Sequence, residues 1–332
     1  YIAIPMSKEG EGRRKNLIWY RVMKVCDFMD EDSAEHALKV ASTFRISYAD
    51  VRLESQKRNE IVLKNGVLDM ISSVTSEGIG IRIITENGIG FSSTNEMDRK
   101  GIEKTVREAF RQAEACKRKT PPKLSEEESV TAGWSVPERE KLSDTGIEQR
   151  LDSLFSWEKR ISSLGDVSAR IILLTDKQTK KLFLNSEGSR IEGYSPVVAC
   201  FYFVTVKHNN QVEQVGRRFG YSGGWEGFQK FDVAKDTERE VVMLKTLIEK
   251  GRKSPHGKMD LVAGPDLVGI VCHESCGHPS EADRILGREA SQAGGSFMSS
   301  ELQNTEIGSE EVTVAEDPTL EHSFGYYAYD DE

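Results

Sequence analysis

The chain has 332 residues, 37% of them hydrophobic and 30% charged, with a formal net charge of -9. That length supports two or three domains with cores of their own, and the balance excludes a disordered chain. The acidic charge argues against a protein that grips nucleic acid through its phosphates, and no apolar run approaches the ~20 residues of a membrane-spanning helix.

Tyr1 to Met6 is too short an apolar run for a secretory signal. The five cysteines are odd in number and scattered apart from Cys272 and Cys276. They form no disulfide framework and point to a reducing cytoplasm.

Residues 1–32 read as an amino-terminal extension without a motif. Ser33 then caps a helix with Ala34, Ala37, Leu38 and Ala41 on its apolar face. Strand signals follow at Val51–Leu53, Ile61–Leu63, Val67–Ile71, Ile79–Ile84 and Ile89–Phe91, with hairpin turns at Asn65-Gly66 and Asn87-Gly88. A helix from about Asp98 to Lys117 closes this unit. The order helix, strands, helix over 33–120, with four strands in the two hairpins, indicates an antiparallel α+β arrangement rather than βαβ alternation.

A Pro- and Glu-rich start marks 121–145 as a linker. A second α+β unit spans 146–253, with a helix carrying Ile147, Leu151, Leu154 and Phe155. Strands follow at 167–174, 181–185, 189–193 and 197–206, then a helix over about 232–250. Its glycine-rich stretch, 216–227, completes no phosphate-binding motif and suits turns and bulges. Tyr221 and Trp225 within it suit either packing or a peptide path. Ser254-Pro255-His256-Gly257 marks another boundary, and the last segment, 254–332, begins a further domain.

Leu261-Val262-Ala263 reads as a buried strand, and Gly264-Pro265-Asp266 as a helix entry. In the helix that follows, Leu267, Ile270, Val271 and Glu274 share one face. Glu274 is therefore expected to be desolvated, which would raise its pKa toward that of a general base.

The helix carries His273-Glu274-Ser275-Cys276-Gly277-His278. Histidines five residues apart diverge by roughly 140° on a regular α-helix. They share a face only if the helix widens by one residue as a π turn, and Gly277 suits such a distortion. Pro279 stops the helix, and Ser280 to Asp283 restarts one in the manner of a capping box.

The run from His273 to Ala290, followed by Ala293-Gly294-Gly295-Ser296-Phe297, resembles the signature of the TldD/PmbA family. The similarity extends over about 33–332. It implies an α+β multi-domain architecture of antiparallel sheets with flanking helices, in which 254–332 is the start of an incomplete metal-binding carboxy-terminal domain. It implies zinc held by His273 and His278, Glu274 as the catalytic base, and a third ligand, a cysteine, beyond residue 332. It implies extended or unfolded peptides as substrates. It also implies a dimer, either of like chains or with a PmbA/TldE-like subunit.

Other readings remain open. Glu281 could be an extra ligand or a partner that orients a histidine. His322 could stand in for the third ligand. Cys272, His273, Cys276 and His278 could form a structural zinc site, though they are crowded for one. His36, His208 and His256 read as surface residues. The rival function is a catalytically incompetent fragment that binds a peptide or a subunit. Regulation of a DNA enzyme finds no support in the charge.

Overall fold

The computed structural model describes residues 31–120, 122–289, 295–302 and 305–331. The expected extension, 1–32, lies outside these apart from Glu31 and Asp32. The described chain divides into a sheet unit, 31–252 with 318–331, and a unit within 253–317.

In the sheet unit, α1 (Glu31–Ala41) leads into β1 (Tyr48–Lys64), β2 (Val67–Ile84), β3 (Ile89–Thr94) and α2 (Arg99–Ala115). Ser33 lies within α1 and does not cap it. Asp98 caps α2, its carboxylate accepting the Gly101 N–H at 2.7 Å. Then come β4 (Thr131–Ser135), α3 (Ile147–Ser162), β5 (Val167–Asn185), β6 (Arg190–His208), β7 (Gln211–Ser222), α4 (Glu226–Lys230) and α5 (Val233–Lys250).

The strands form one seven-stranded sheet in the order β3-β2-β1-β5-β6-β4, with β7 also paired to β6. All pairs are antiparallel except β4 with β6. Residues 33–120 and 146–253 therefore share a sheet, joined where β1 pairs with β5 from Asp50–Asn185 to Lys64–Ile171.

Three long strands replace the four short ones expected in 33–120. The polar stretches 54–60 and 72–78 lack the apolar alternation of a half-buried strand, yet pair with each other throughout. Ladder hydrogen bonds need only backbone, so the register set at the apolar ends carries through.

Asn65 and Gly66 both have positive φ, 52° and 81°, as a two-residue hairpin turn requires. Asn87-Gly88 is no such turn; a four-residue loop links Ile84 to Ile89, closed by Thr85 N–H to the Gly88 carbonyl at 2.9 Å. Glycine there serves close approach. A Cβ on Gly88 would lie 2.2 Å from the Cys116 Cβ, and one on Gly90 1.9 Å from the Ala109 carbonyl oxygen.

Two apolar clusters hold the unit. Ala34, Ala37, Ile102, Val106 and Ala109 of α1 and α2 pack on Val51, Leu53, Ile79, Ile81 and Ile83. Leu154, Trp157, Ile161, Val241 and Leu244 of α3 and α5 pack on Ile172, Leu174, Cys200 and Tyr202. Burying each large side chain is worth about 1.5–3 kcal/mol. The Arg150–Asp176 pair (2.8 Å) is 5% and 1% exposed and is completed by Asn59 Nδ2 on Asp176 (2.8 Å) and by the Leu142 and Thr145 carbonyls.

Residues 318–331 also lie on this unit. Tyr326 meets Trp134, Tyr329 meets Phe183, and Arg52 Nε donates to the Asp331 carbonyl at 2.5 Å.

The other unit holds α6 (Pro265–Cys272), a wide turn at His273–Gly277, a tight turn at His278–Ser280, and α7 (Ala282–Ile285). Leu261–Ala263 is not a buried strand: Leu261 is 78% and Val262 98% exposed, and no described strand pairs with them. A strand needs a neighbour for its backbone groups, and apolar character alone does not supply one.

Candidate metal centre

Gly264 and Pro265 start α6 as its sequence requires, with proline at the first helical turn, where an N–H would lack an intrahelical partner anyway. The helix then widens. The His278 N–H bonds the His273 carbonyl, an i to i+5 link that adds one residue to the turn. This is the turn that a histidine spacing of five needs.

Its consequence is direct. The two imidazoles lie side by side, ring centroids 4.3 Å apart at 67°. Glu274 Oε2 stands 3.9 Å from His278 Nε2. One ligand atom from each of His273, Glu274 and His278 lies within 4.8 Å of the others.

Gly277 is not strained: φ is -60° and ψ -66°, and a Cβ there would come no closer than 3.9 Å to another atom. What stabilises the wide turn is hydrogen bonding. Ser280 Oγ donates to the Cys276 carbonyl at 2.7 Å, and Ser296 Oγ to the Pro279 carbonyl at 2.6 Å. The expected capping box does not form, because the Ser280 hydroxyl serves that carbonyl and no side chain caps α7.

The burial expected of Glu274 is also absent. Its side chain is 63% exposed, and Leu267, Ile270 and Val271 are 44%, 59% and 51% exposed. The apolar face is real, but no described residue of the unit covers it. Desolvation follows from a covering surface, and periodicity reveals only which face would accept one.

Glu281 sits on the far nitrogen of His278, Oε1 to Nδ1 at 2.6 Å, and its other oxygen accepts from Arg284 Nε. These bonds, from His278 first and Arg284 second, hold the Glu281 carboxyl below its ordinary value. Sequence reasoning passed over Arg284; its signal was the i, i+3 spacing from Glu281.

The remaining candidates fall elsewhere. Cys272 and Cys276 are half-buried and outside the ligand group among the described residues. His322 belongs to the sheet unit, stacked on Tyr221 at 4.4 Å. Trp225 is 1% and Tyr221 7% exposed, so both pack in the core. His208 joins Asp166 (3.1 Å) and Glu249 (2.9 Å), and His36 faces Glu103 at 3.4 Å, so neither is an isolated surface histidine.

Do these residues fit a zinc ion? Imidazole nitrogens bind zinc at about 2.0–2.1 Å, so two of them on one ion are at most about 4.2 Å apart. Atoms within 4.8 Å reach that limit by small side-chain rotations. Two imidazoles and a carboxylate are also a zinc-type donor set. A catalytic site takes three protein ligands, however, and two histidines supply two.

Family models described as the PmbA/TldA metallopeptidase domain 1, central domain and C-terminal domain match residues 49–113, 133–245 and 256–332. The chain belongs to the PmbA/TldD metallopeptidase family. It is 28% identical to a metalloprotease of Methanocaldococcus jannaschii, over 86% of this chain and 61% of that one. It is 24% identical to a protein of Saccharolobus solfataricus named zinc metalloprotease TldD homolog, over 89% and 62%. The chain thus spans about six tenths of the length of the curated relatives it matches.

Among solved structures, TldE of Thermococcus kodakarensis matches at a TM-score of 0.50 and 11% identity, over 63% of this chain and 47% of that one. A Thermotoga maritima protein described as a proposed modulator of a DNA gyrase matches at 0.54 and 14%, over 68% and 50%. At such identities these matches support the PmbA/TldD fold, an antiparallel sheet with flanking helices. No described helix is long and apolar enough to cross a membrane.

Proposed function

We propose that this chain carries the metal-binding motif of a zinc metallopeptidase that hydrolyses extended or unfolded peptides. One observation carries the reading: the wide turn that sets His273 and His278 side by side with Glu274 next to them. His273 and His278 would hold the ion. Zinc bound there supplies a Lewis acid for a water and for the scissile carbonyl.

Glu274 is the base. Its carboxylate is exposed and 3.9 Å from His278 Nε2, close enough to take a proton from a water beside the imidazoles. The same carboxyl then delivers that proton to the leaving amine, so the proton balance closes on one residue. The partner would be a second copy or a PmbA/TldE-like subunit. The described cysteines are free, which suits a reducing cytoplasm.

A second reading rests on a different observation. Two imidazoles and one carboxylate are the whole ligand group among the described residues, and with Glu274 kept as the base only two of the three bind, one short of a catalytic zinc. On that ground the chain alone would be a catalytically incompetent peptide- or subunit-binding fragment.

The test is zinc content by elemental analysis after dialysis, with peptide hydrolysis, for this chain and for a chain of its relatives' length. Glu274→Gln should keep zinc and lose hydrolysis, whereas His273→Ala should lose both. Hydrolysis unchanged in Glu274→Gln would end the assignment of the base. Zinc and hydrolysis in the longer chain only would favour the second reading for this one.

A further inference from the structure

The two histidines of the motif are held differently. His278 Nδ1 is 2.6 Å from Glu281 Oε1, and Arg284 Nε grips the other oxygen of the same carboxylate. No comparable partner faces His273 among the described residues; its Nδ1 would lie 3.9 Å from a Cβ added at Gly277.

A carboxylate only accepts hydrogen bonds, so at 2.6 Å the imidazole nitrogen facing it must carry the proton. Arg284 also lies 3.5 Å from that nitrogen, but a guanidinium has no acceptor to offer it and the distance is long. In a neutral ring protonated at Nδ1, the lone pair is on Nε2. Nε2 is the atom on the Glu274 side, 3.9 Å from that carboxylate.

We propose that Glu281, itself pinned by Arg284, is a positioning residue that fixes His278 in the Nδ1-protonated tautomer and orients Nε2 as the metal-binding atom. The inference rests on the metal reading of His278 above. A charged partner on the non-ligating nitrogen does two things: it removes the freedom of the ring to flip, and it makes the ligating nitrogen more basic. Arg284 acts one step back, holding the Glu281 carboxylate so that it does not rotate away. The arrangement is local, three residues on either side of Glu281, and follows from the tight turn at His278–Ser280.

Two measurements on the whole chain decide the matter. The first is the ring-nitrogen NMR spectrum of the metal-free protein. His278 should show the Nδ1–H tautomer in the native chain and in Glu281→Gln, whose amide oxygen can still accept. It should lose that preference in Glu281→Ala. The second is affinity for zinc alone, by competition with a chromophoric chelator.

Glu281→Ala should weaken zinc binding by about 10–100-fold. Glu281→Gln should fall between, and Arg284→Ala should cost only a few-fold. An Nε2–H tautomer at His278 in the native chain, or unchanged zinc affinity in Glu281→Ala, would overturn the proposal. If neither this chain nor one of its relatives' length binds zinc, the metal reading falls, and the tautomer experiment still decides the role of Glu281.

Discussion

In the sheet unit, polar groups taken out of water are met by partners far along the chain. Asp176 is 1% exposed and receives Arg150, 26 residues away, and Asn59, 117 away. In the motif-bearing unit the contacts have a shorter reach: His278 with Glu281 and Arg284 with Glu281 are three residues apart, Ser280 with Cys276 four, and Ser296 with Pro279 seventeen. No described residue between 253 and 317 is buried. The difference separates two ways of fixing a shape. Long-range burial holds the sheet, while local hydrogen bonds shape the wide turn that faces the imidazoles toward each other.

The largest effect that would test this contrast is in the sheet unit. Asp176→Ala leaves Arg150 charged, buried and unpaired, which costs about 3–5 kcal/mol. Denaturant unfolding should show that loss, while the tautomer at His278 should not change. A Glu281→Ala substitution should do the reverse, leaving the unfolding midpoint in place. If Asp176→Ala also disturbed His278, the two units would not be held independently.

This contrast also explains what the sequence discloses. The helix entry at Gly264-Pro265 and the Asn65-Gly66 turn depend on residues within a few positions, and both could be read directly. The wide turn was legible for the same reason: a histidine spacing of five allows a shared face in no regular α-helix. The pairing of β1 with β5 was not legible, because the match between Glu54–Glu60 and Thr175–Lys181 lies in backbone geometry and not in side-chain pattern. Glu274 was misjudged for a related reason. Its neighbours on the helix are apolar, but exposure depends on what covers them, and the helix sequence does not specify that.

Thiol chemistry sharpens the comparison at intermediate effect. Cys200 lies in the sheet core, 1% exposed, and burial pushes its pKa up to about 12. At pH 8 that leaves about one thiolate in ten thousand, and the thiolate is the reactive form. Cys272 and Cys276 are only partly buried. Alkylation of the metal-free protein followed by peptide mass mapping should therefore modify Cys272 and Cys276 well before Cys200, which should be slower by about a thousandfold or more, with the exposed Cys116 as a fast internal reference. Asp176→Ala should raise the Cys200 rate by populating opened forms. Equal rates at all three sites in the native protein would mean that the sheet core opens as readily as the local turns.

The smallest expected effect is the most specific to the wide turn. Glycine is the residue one would blame for a helix that departs from α geometry, since it tolerates backbone angles that others avoid. At Gly277 that reasoning does not apply. Its angles, -60° and -66°, lie in the helical region open to any residue, and the nearest atom to an added Cβ is His273 Nδ1 at 3.9 Å, an ordinary contact. The wide turn should therefore survive Gly277→Ala. Thermal stability should stay within about 0.5 kcal/mol of the native chain, as for a surface substitution. Zinc affinity should stay within about threefold, since neither imidazole need move. Loss of zinc with unchanged stability would show that the rings must swing past position 277 to close on the ion. The turn would then have to move before it could bind.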